Sequence, residues 1–137
     1  VGVLVVDTNA TITSSGGDVI VTGQGGGSGA SAGNYGASIG GGSSVIAGGS
    51  GNLTITGISG VANGPNNSGT IISNATVQTT DGLLSLYGES NASGLNSRGV
   101  GVVAGGSVQA VGLGDVQIVG TGGQGAGFLL RGPDDRD

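Results

Sequence analysis

The chain contains no cysteine, histidine, lysine, methionine or tryptophan, and only two tyrosines, one phenylalanine and two prolines. Without cysteine there is no disulfide scaffold, and most zinc sites are removed. Without histidine as well, most nucleophile–base pairs and transition-metal sites are excluded. The only cations are Arg98, Arg131 and Arg136, against eight acids and a net charge of −5. Nucleic-acid binding needs clustered Lys and Arg to neutralise phosphates, and an anionic membrane surface needs the same. No apolar run approaches the ~20 residues of a membrane-spanning helix. Val1–Val6 carries neither a basic leader nor a cleavage site, so it is not a whole signal peptide. A chain with three aromatic residues lacks the large side chains that dominate ordinary globular cores. Two prolines, and glycines with no three-residue period, exclude collagen.

What is abundant is glycine, with 35 copies, alongside Val, Ile, Leu and Ala. The apolar content separates the chain from disordered sequences of low hydropathy and high charge. One phrase occurs four times: Gly17-Asp-Val-Ile-Val-Thr-Gly23, Gly51-Asn-Leu-Thr-Ile-Thr-Gly57, Gly82-Leu-Leu-Ser-Leu-Tyr-Gly88 and Gly114-Asp-Val-Gln-Ile-Val-Gly120. The closing glycines are 34, 31 and 32 residues apart. A period of this size marks stacked repeats.

Each repeat holds two further strand candidates. One is Ala10-Thr-Ile12, Ser43-Ser-Val45, Ala75-Thr-Val77 and Gly106-Ser-Val108; the other is Gly36-Ala-Ser-Ile39, Gly69-Thr-Ile-Ile72, Gly99-Val-Gly-Val102 and Gly125-Ala-Gly-Phe128, with an extra copy at Gly2-Val-Leu-Val5. Stacking the copies produces apolar columns: Val19, Leu53, Leu84, Val116; then Val21, Ile55, Leu86, Ile118; then Ile12, Val45, Val77, Val108. Two more follow, Val3, Ala37, Thr70, Val100, Ala126 and Val5, Ile39, Ile72, Val102, Phe128. Mostly polar columns lie between them (Ile20, Thr54, Ser85, Gln117; Thr11, Ser44, Thr76, Ser107), which is the period-two alternation of strands with one buried face. No stretch carries a 3.6-residue pattern. A β-sandwich would also offer short strands, but it does not predict columns recurring at this interval.

The expected fold is therefore all-β: a parallel β-helix, or β-solenoid, three-sided, with about four coils of 30–34 residues over residues 1–132. Parallel crossovers are nearly always right-handed, so the same hand is expected here. Residues 133–137, Pro-Asp-Asp-Arg-Asp, break the pattern and read as a charged tail or as a loop to a further coil.

The combination of a Gly-Asx-Val-x-Val-x-Gly strand, a Gly/Ser/Asn-rich loop, a Gly-x-x-Val strand and a Ser/Ala-Thr-Val strand resembles the repeat regions of filamentous haemagglutinin-like exoproteins and other large bacterial adhesins. The resemblance covers roughly residues 2–130. It implies a right-handed β-helix, secretion to the cell surface, and a role in adhesion, biofilm or cell contact. The secretion domain of such proteins is not recognisable here, and the chain reads as a slice of a longer array. The implied partners are neighbouring coils of the same or identical chains and a host or cell-surface glycan or protein, without nucleic acid or membrane insertion.

Little points to chemistry, and no catalytic, cofactor or metal residue is assigned. Asp18 and Asp115 share a repeat position with Asn52 and Leu83, which reads as a strand-start position rather than a reactive acid. Gly48-Gly-Ser-Gly-Asn-Leu-Thr-Ile-Thr56 approaches the calcium nonapeptide but has Leu53 where the ligating Asp belongs. Gly120-Thr-Gly-Gly-Gln-Gly125 fits a dinucleotide fingerprint without the helix or acid that gives it meaning. Five Asn-x-Ser/Thr sequons begin at Asn9, Asn52, Asn66, Asn74 and Asn91. They are candidate glycosylation acceptors if the chain is exported; alternatively, Asn, Ser and Thr are simply the turn residues of this fold. The function expected is a structural stalk and display segment, not an enzyme. A self-assembling extracellular fibre or sheath subunit is the alternative, and a polysaccharide lyase or hydrolase of the β-helix type a distant one.

Overall fold

The computed structural model describes residues 1–123 and 127–130. Among them there is no helix, and thirteen strands are wound into three parallel sheets. Sheet I holds β1 (Val3–Val6), β4 (Ala37–Gly40), β7 (Thr70–Ser73), β10 (Val100–Val103) and β13 (Phe128–Leu130). Sheet II holds β2 (Thr11–Ser14), β5 (Ser44–Ala47), β8 (Thr76–Thr79) and β11 (Ser107–Ala110). Sheet III holds β3 (Val19–Gln24), β6 (Leu53–Ile58), β9 (Leu84–Glu89) and β12 (Val116–Thr121), the four copies of the repeated phrase. Each coil visits the three sheets in turn and pairs with the next coil one step, about 4.8 Å, along the axis. The chain is a parallel β-helix of about four coils.

The columns drawn from the sequence coincide with the strand register. Val19 pairs with Leu53, Leu53 with Leu84, and Leu84 with Val116. Ile12, Val45, Val77 and Val108 align the same way in sheet II. The core fills from these inward columns, and Ile39, Val45, Leu53, Ile55, Ile72, Val77, Leu84 and Leu86 are fully enclosed. Each such side chain contributes about 1.5–3 kcal/mol by leaving water. Sheet II also presents a second, smaller inward column, Ser14, Ala47, Thr79 and Ala110, which narrows the core beside it.

Two placements differ from the sequence reading. Phe128 stands opposite Val100, not Val102, and Leu130 takes the place opposite Val102. The reason is the glycine that leads into the strand: the amide of Val100 bonds the carbonyl of Gly127, so Gly127 takes the role of Gly69 and Gly99 in the coils below. A slip of two residues keeps the same face inward, so the alternation survives. Ala126, assigned to the same column, lies outside the described residues. The second difference is Ser85, which is buried although its column faces outward.

The coil is pinched at one corner. The glycines closing sheet III (Gly23, Gly57, Gly88, Gly120) lie against those opening sheet I (Gly36, Gly69, Gly99, Gly127), backbone to backbone. A Cβ on Gly88 would stand 2.6 Å from the Gly99 carbonyl carbon, and one on Gly36 the same distance from the Gly57 carbonyl carbon. No side chain larger than hydrogen fits this neck. On its far side, the segments 25–35, 59–68 and 90–98 leave and re-enter at the same point, which makes each an Ω-loop.

Candidate functional site

The loops stack in register like the strands, through Asn63 N to Gly29 O (2.7 Å), Asn66 N to Leu95 O (2.9 Å) and Ser93 N to Ala62 O (2.9 Å). Gly33, Asn66 and Asn96 form a left-handed column, with φ of 68°, 61° and 59°. Glycine and asparagine tolerate that conformation, which is why these residues recur there.

The interior of this second lobe is polar. Asn67 is completely buried; its Oδ1 accepts from Asn34 N (2.8 Å) and Asn34 Nδ2 (2.9 Å), and its Nδ2 donates to Ser31 O (3.2 Å) and Gly64 O (2.6 Å). Ser90 Oγ donates to the Asn67 carbonyl (2.6 Å), and Ser59 Oγ contacts Ser90 Oγ at 3.3 Å. Ser97, in the repeat position of Asn34 and Asn67, is equally buried, but its Oγ has no partner among the described residues. Reading three residues back from each sheet I strand start, at Asn34, Asn67 and Ser97, would have exposed this column in the sequence.

Asp18 of the repeated phrase and Asp81, which precedes its third copy, are engaged structurally. Asp18 Oδ1 accepts the amide of Asn52 (2.8 Å), and Asn52 Oδ1 in turn accepts the amide of Leu83 (2.9 Å). Asp81 Oδ1 accepts the amide of Leu113 (2.9 Å) at the same corner. Each carboxylate or amide thus caps the coil above it, and leucine at position 83 ends the first ladder. Asp18 and Asp115 sit three coils apart, about 14 Å along the axis. A glycosidase needs its two carboxyl groups within roughly 5–9.5 Å. No group of three or more metal-ligating side chains occurs among the described residues. The Gly120–Gly125 motif falls partly on residues 124–126, and the 133–137 tail wholly, outside the described residues.

All five sequon asparagines are exposed, at corners or in the loop lobe. Three have a conformational reason to be asparagine. Asn66 and Asn74 adopt positive φ (61° and 50°), and Asn52 belongs to the capping ladder. Asn9 and Asn91 hold neither role. Asn91 lines a shallow hollow on the loop lobe with Val61, Asn63 and Ser93.

The outer face of sheet III carries a groove of about 180 Å³. Two outward columns wall it: Thr56, Tyr87 and Val119 on one side, Ile58, Glu89 and Thr121 on the other. Between them run Gly57 and Gly88, which turn inward to the neck, so the floor of the groove is strand backbone. The Tyr87 hydroxyl reaches the next coil and donates to Gln117 Oε1 at 3.4 Å, which lays the ring along the sheet. The Glu89 carboxylate is exposed beside it, two residues along the same strand.

No protein-family model matches the chain, and no significant match was found among curated proteins or solved structures. No helix among the described residues is long and apolar enough to cross a membrane.

Proposed function

We propose that this chain is a stiff stalk and display segment of a secreted bacterial surface adhesin, as its resemblance to filamentous haemagglutinin-like repeats implies. The observation supporting this is the continuity of the ladder. All three sheets and the loop lobe keep coil-to-coil hydrogen bonds in one register. Such a ladder resists bending and extension, because no segment shifts without breaking bonds to both neighbours. The outward columns carry no such constraint and vary freely, for example Ile20, Thr54, Ser85 and Gln117. Its acids at the repeated corner hold backbone amides, a structural use of the residues an enzyme would need.

The test is placement and loss. Antibody raised against this chain is expected to label intact cells that make the protein, and deleting the segment in frame to reduce their attachment to surfaces or other cells. Labelling only after permeabilisation would remove the reading.

A further inference from the structure

The outer groove of sheet III has the form and chemistry of a ligand site that the rod itself does not require. Its walls are two residues apart on each strand, about 7 Å, and it crosses three coils, about 10 Å along the axis. The floor backbone is already paired: Gly57 faces Gly88, and Gly88 faces Gly120, inside parallel ladders. An extended peptide adding as a strand needs free backbone donors and acceptors at a sheet edge, and a mid-sheet groove has none to give. What it presents instead are side chains: the Tyr87 ring, the Thr56 and Thr121 hydroxyls, the Glu89 carboxylate, and Ile58 and Val119 as apolar flanks.

This set suits a sugar. A pyranose offers an apolar face of C–H groups to an aromatic ring, and hydroxyl groups around its rim. The ring quadrupole of tyrosine, negative on its face, attracts C–H groups as it does other positive edges. A carboxylate with no hydrogen bond or ion pair among the described residues accepts from paired hydroxyls, and charge-assisted bonds are the stronger kind. Charge selects further. The groove holds one acid and no cation, on a chain of net charge −5, so an anionic glycan is repelled.

From these walls we infer that the groove binds an uncharged oligosaccharide, laid along the solenoid axis with a ring stacked on Tyr87 and hydroxyls bonded to Glu89. The coil step of about 4.8 Å is close to the length of one pyranose residue, so the groove seats about two. The inference deepens the adhesin reading by giving the display surface a ligand class, but its test uses the isolated chain, so either can fail alone.

The experiment is saturation-transfer NMR and titration calorimetry of the whole chain with neutral cellohexaose, mannohexaose and chitohexaose, and with tetragalacturonate and a hexalysine peptide for comparison. At least one neutral oligomer is expected to bind. Tyr87→Ala should weaken it roughly tenfold, the scale of one lost stacking contact, and Glu89→Gln about threefold. Thr13→Ala, on the outer face of sheet II, should leave it unchanged. Should Tyr87→Ala not fold, Val119→Arg, at a 45% exposed position, fills the groove from outside and is expected to abolish binding. No neutral oligomer bound at millimolar concentration, binding that survives both Tyr87→Ala and Val119→Arg, or binding of hexalysine or galacturonate alone would each overturn the proposal.

Discussion

Replacing Gly88 with alanine is expected to be among the most damaging single-methyl changes in this protein. The added Cβ would stand 2.6 Å from the carbonyl carbon of Gly99 and closer still to its oxygen, with the Val100 methyl at 2.8 Å. Neither backbone can yield easily. Gly88 pairs with Gly57 below and Gly120 above, and Thr70 N bonds the Gly99 carbonyl at 2.9 Å. Overpacking usually costs about 1–3 kcal/mol when side chains absorb it; here backbone must move, so about 3 kcal/mol or more is expected. The same methyl at Gly17 meets nothing within 4 Å, and the residue has no positive φ. There, loss of glycine's unfolded-state freedom should stabilise by about 0.4–1 kcal/mol. At ~4 °C per kcal/mol for a chain of this size, Gly88→Ala should lower the midpoint of far-UV circular dichroism melting by more than 10 °C, while Gly17→Ala raises it slightly. Equal midpoints for the two variants, or a larger fall for Gly17→Ala, would refute the steric argument for the neck.

Three further outcomes are expected. Thr79→Val exchanges a buried hydroxyl without a partner among the described residues for a methyl of the same shape, and should stabilise by about 1–2 kcal/mol in urea denaturation; no gain would mean that the hydroxyl finds a partner in solution. Ala104 holds φ at 49° in the corner between β10 and β11. Ala104→Gly should relieve about 1 kcal/mol of left-handed strain, raising the melting midpoint, and a lower midpoint would contradict this. Asn67→Ala removes four hydrogen bonds from the loop lobe and should cost about 3 kcal/mol. Amide hydrogen exchange is expected to quicken first at Asn34, whose N–H loses its acceptor, before the sheets respond.

The strands were legible in the sequence because a solenoid repeats one question at every coil. Four residues answering it alike, such as Val19, Leu53, Leu84 and Val116, outweigh any single ambiguous strand. The Phe128 register was not legible, since Gly125 and Gly127 flank one residue in Gly-x-Gly sequence and either could open the strand. The loop lobe was missed for a different reason. Its core is made of Asn67, Ser59 and Ser90, and buried polar residues look the same in sequence as exposed ones. Burial there follows from backbone proximity at the neck, which composition does not announce. The roles of Asp18 and Asn52 were half visible: their shared position with Leu83 pointed away from catalysis, but the capping bond to the next coil appears only in three dimensions.

The glycine neck also governs how the molecule yields to force. It joins two lobes side by side, so the cross-section is longer in one direction than in the other. The resistance of a beam to bending rises with the cube of its depth, so such a rod is stiff in the plane containing both lobes and compliant across it. Sideways load would therefore curl the structure about one preferred axis, like a ribbon, with the sheet III groove and the loop lobe held in fixed relation throughout.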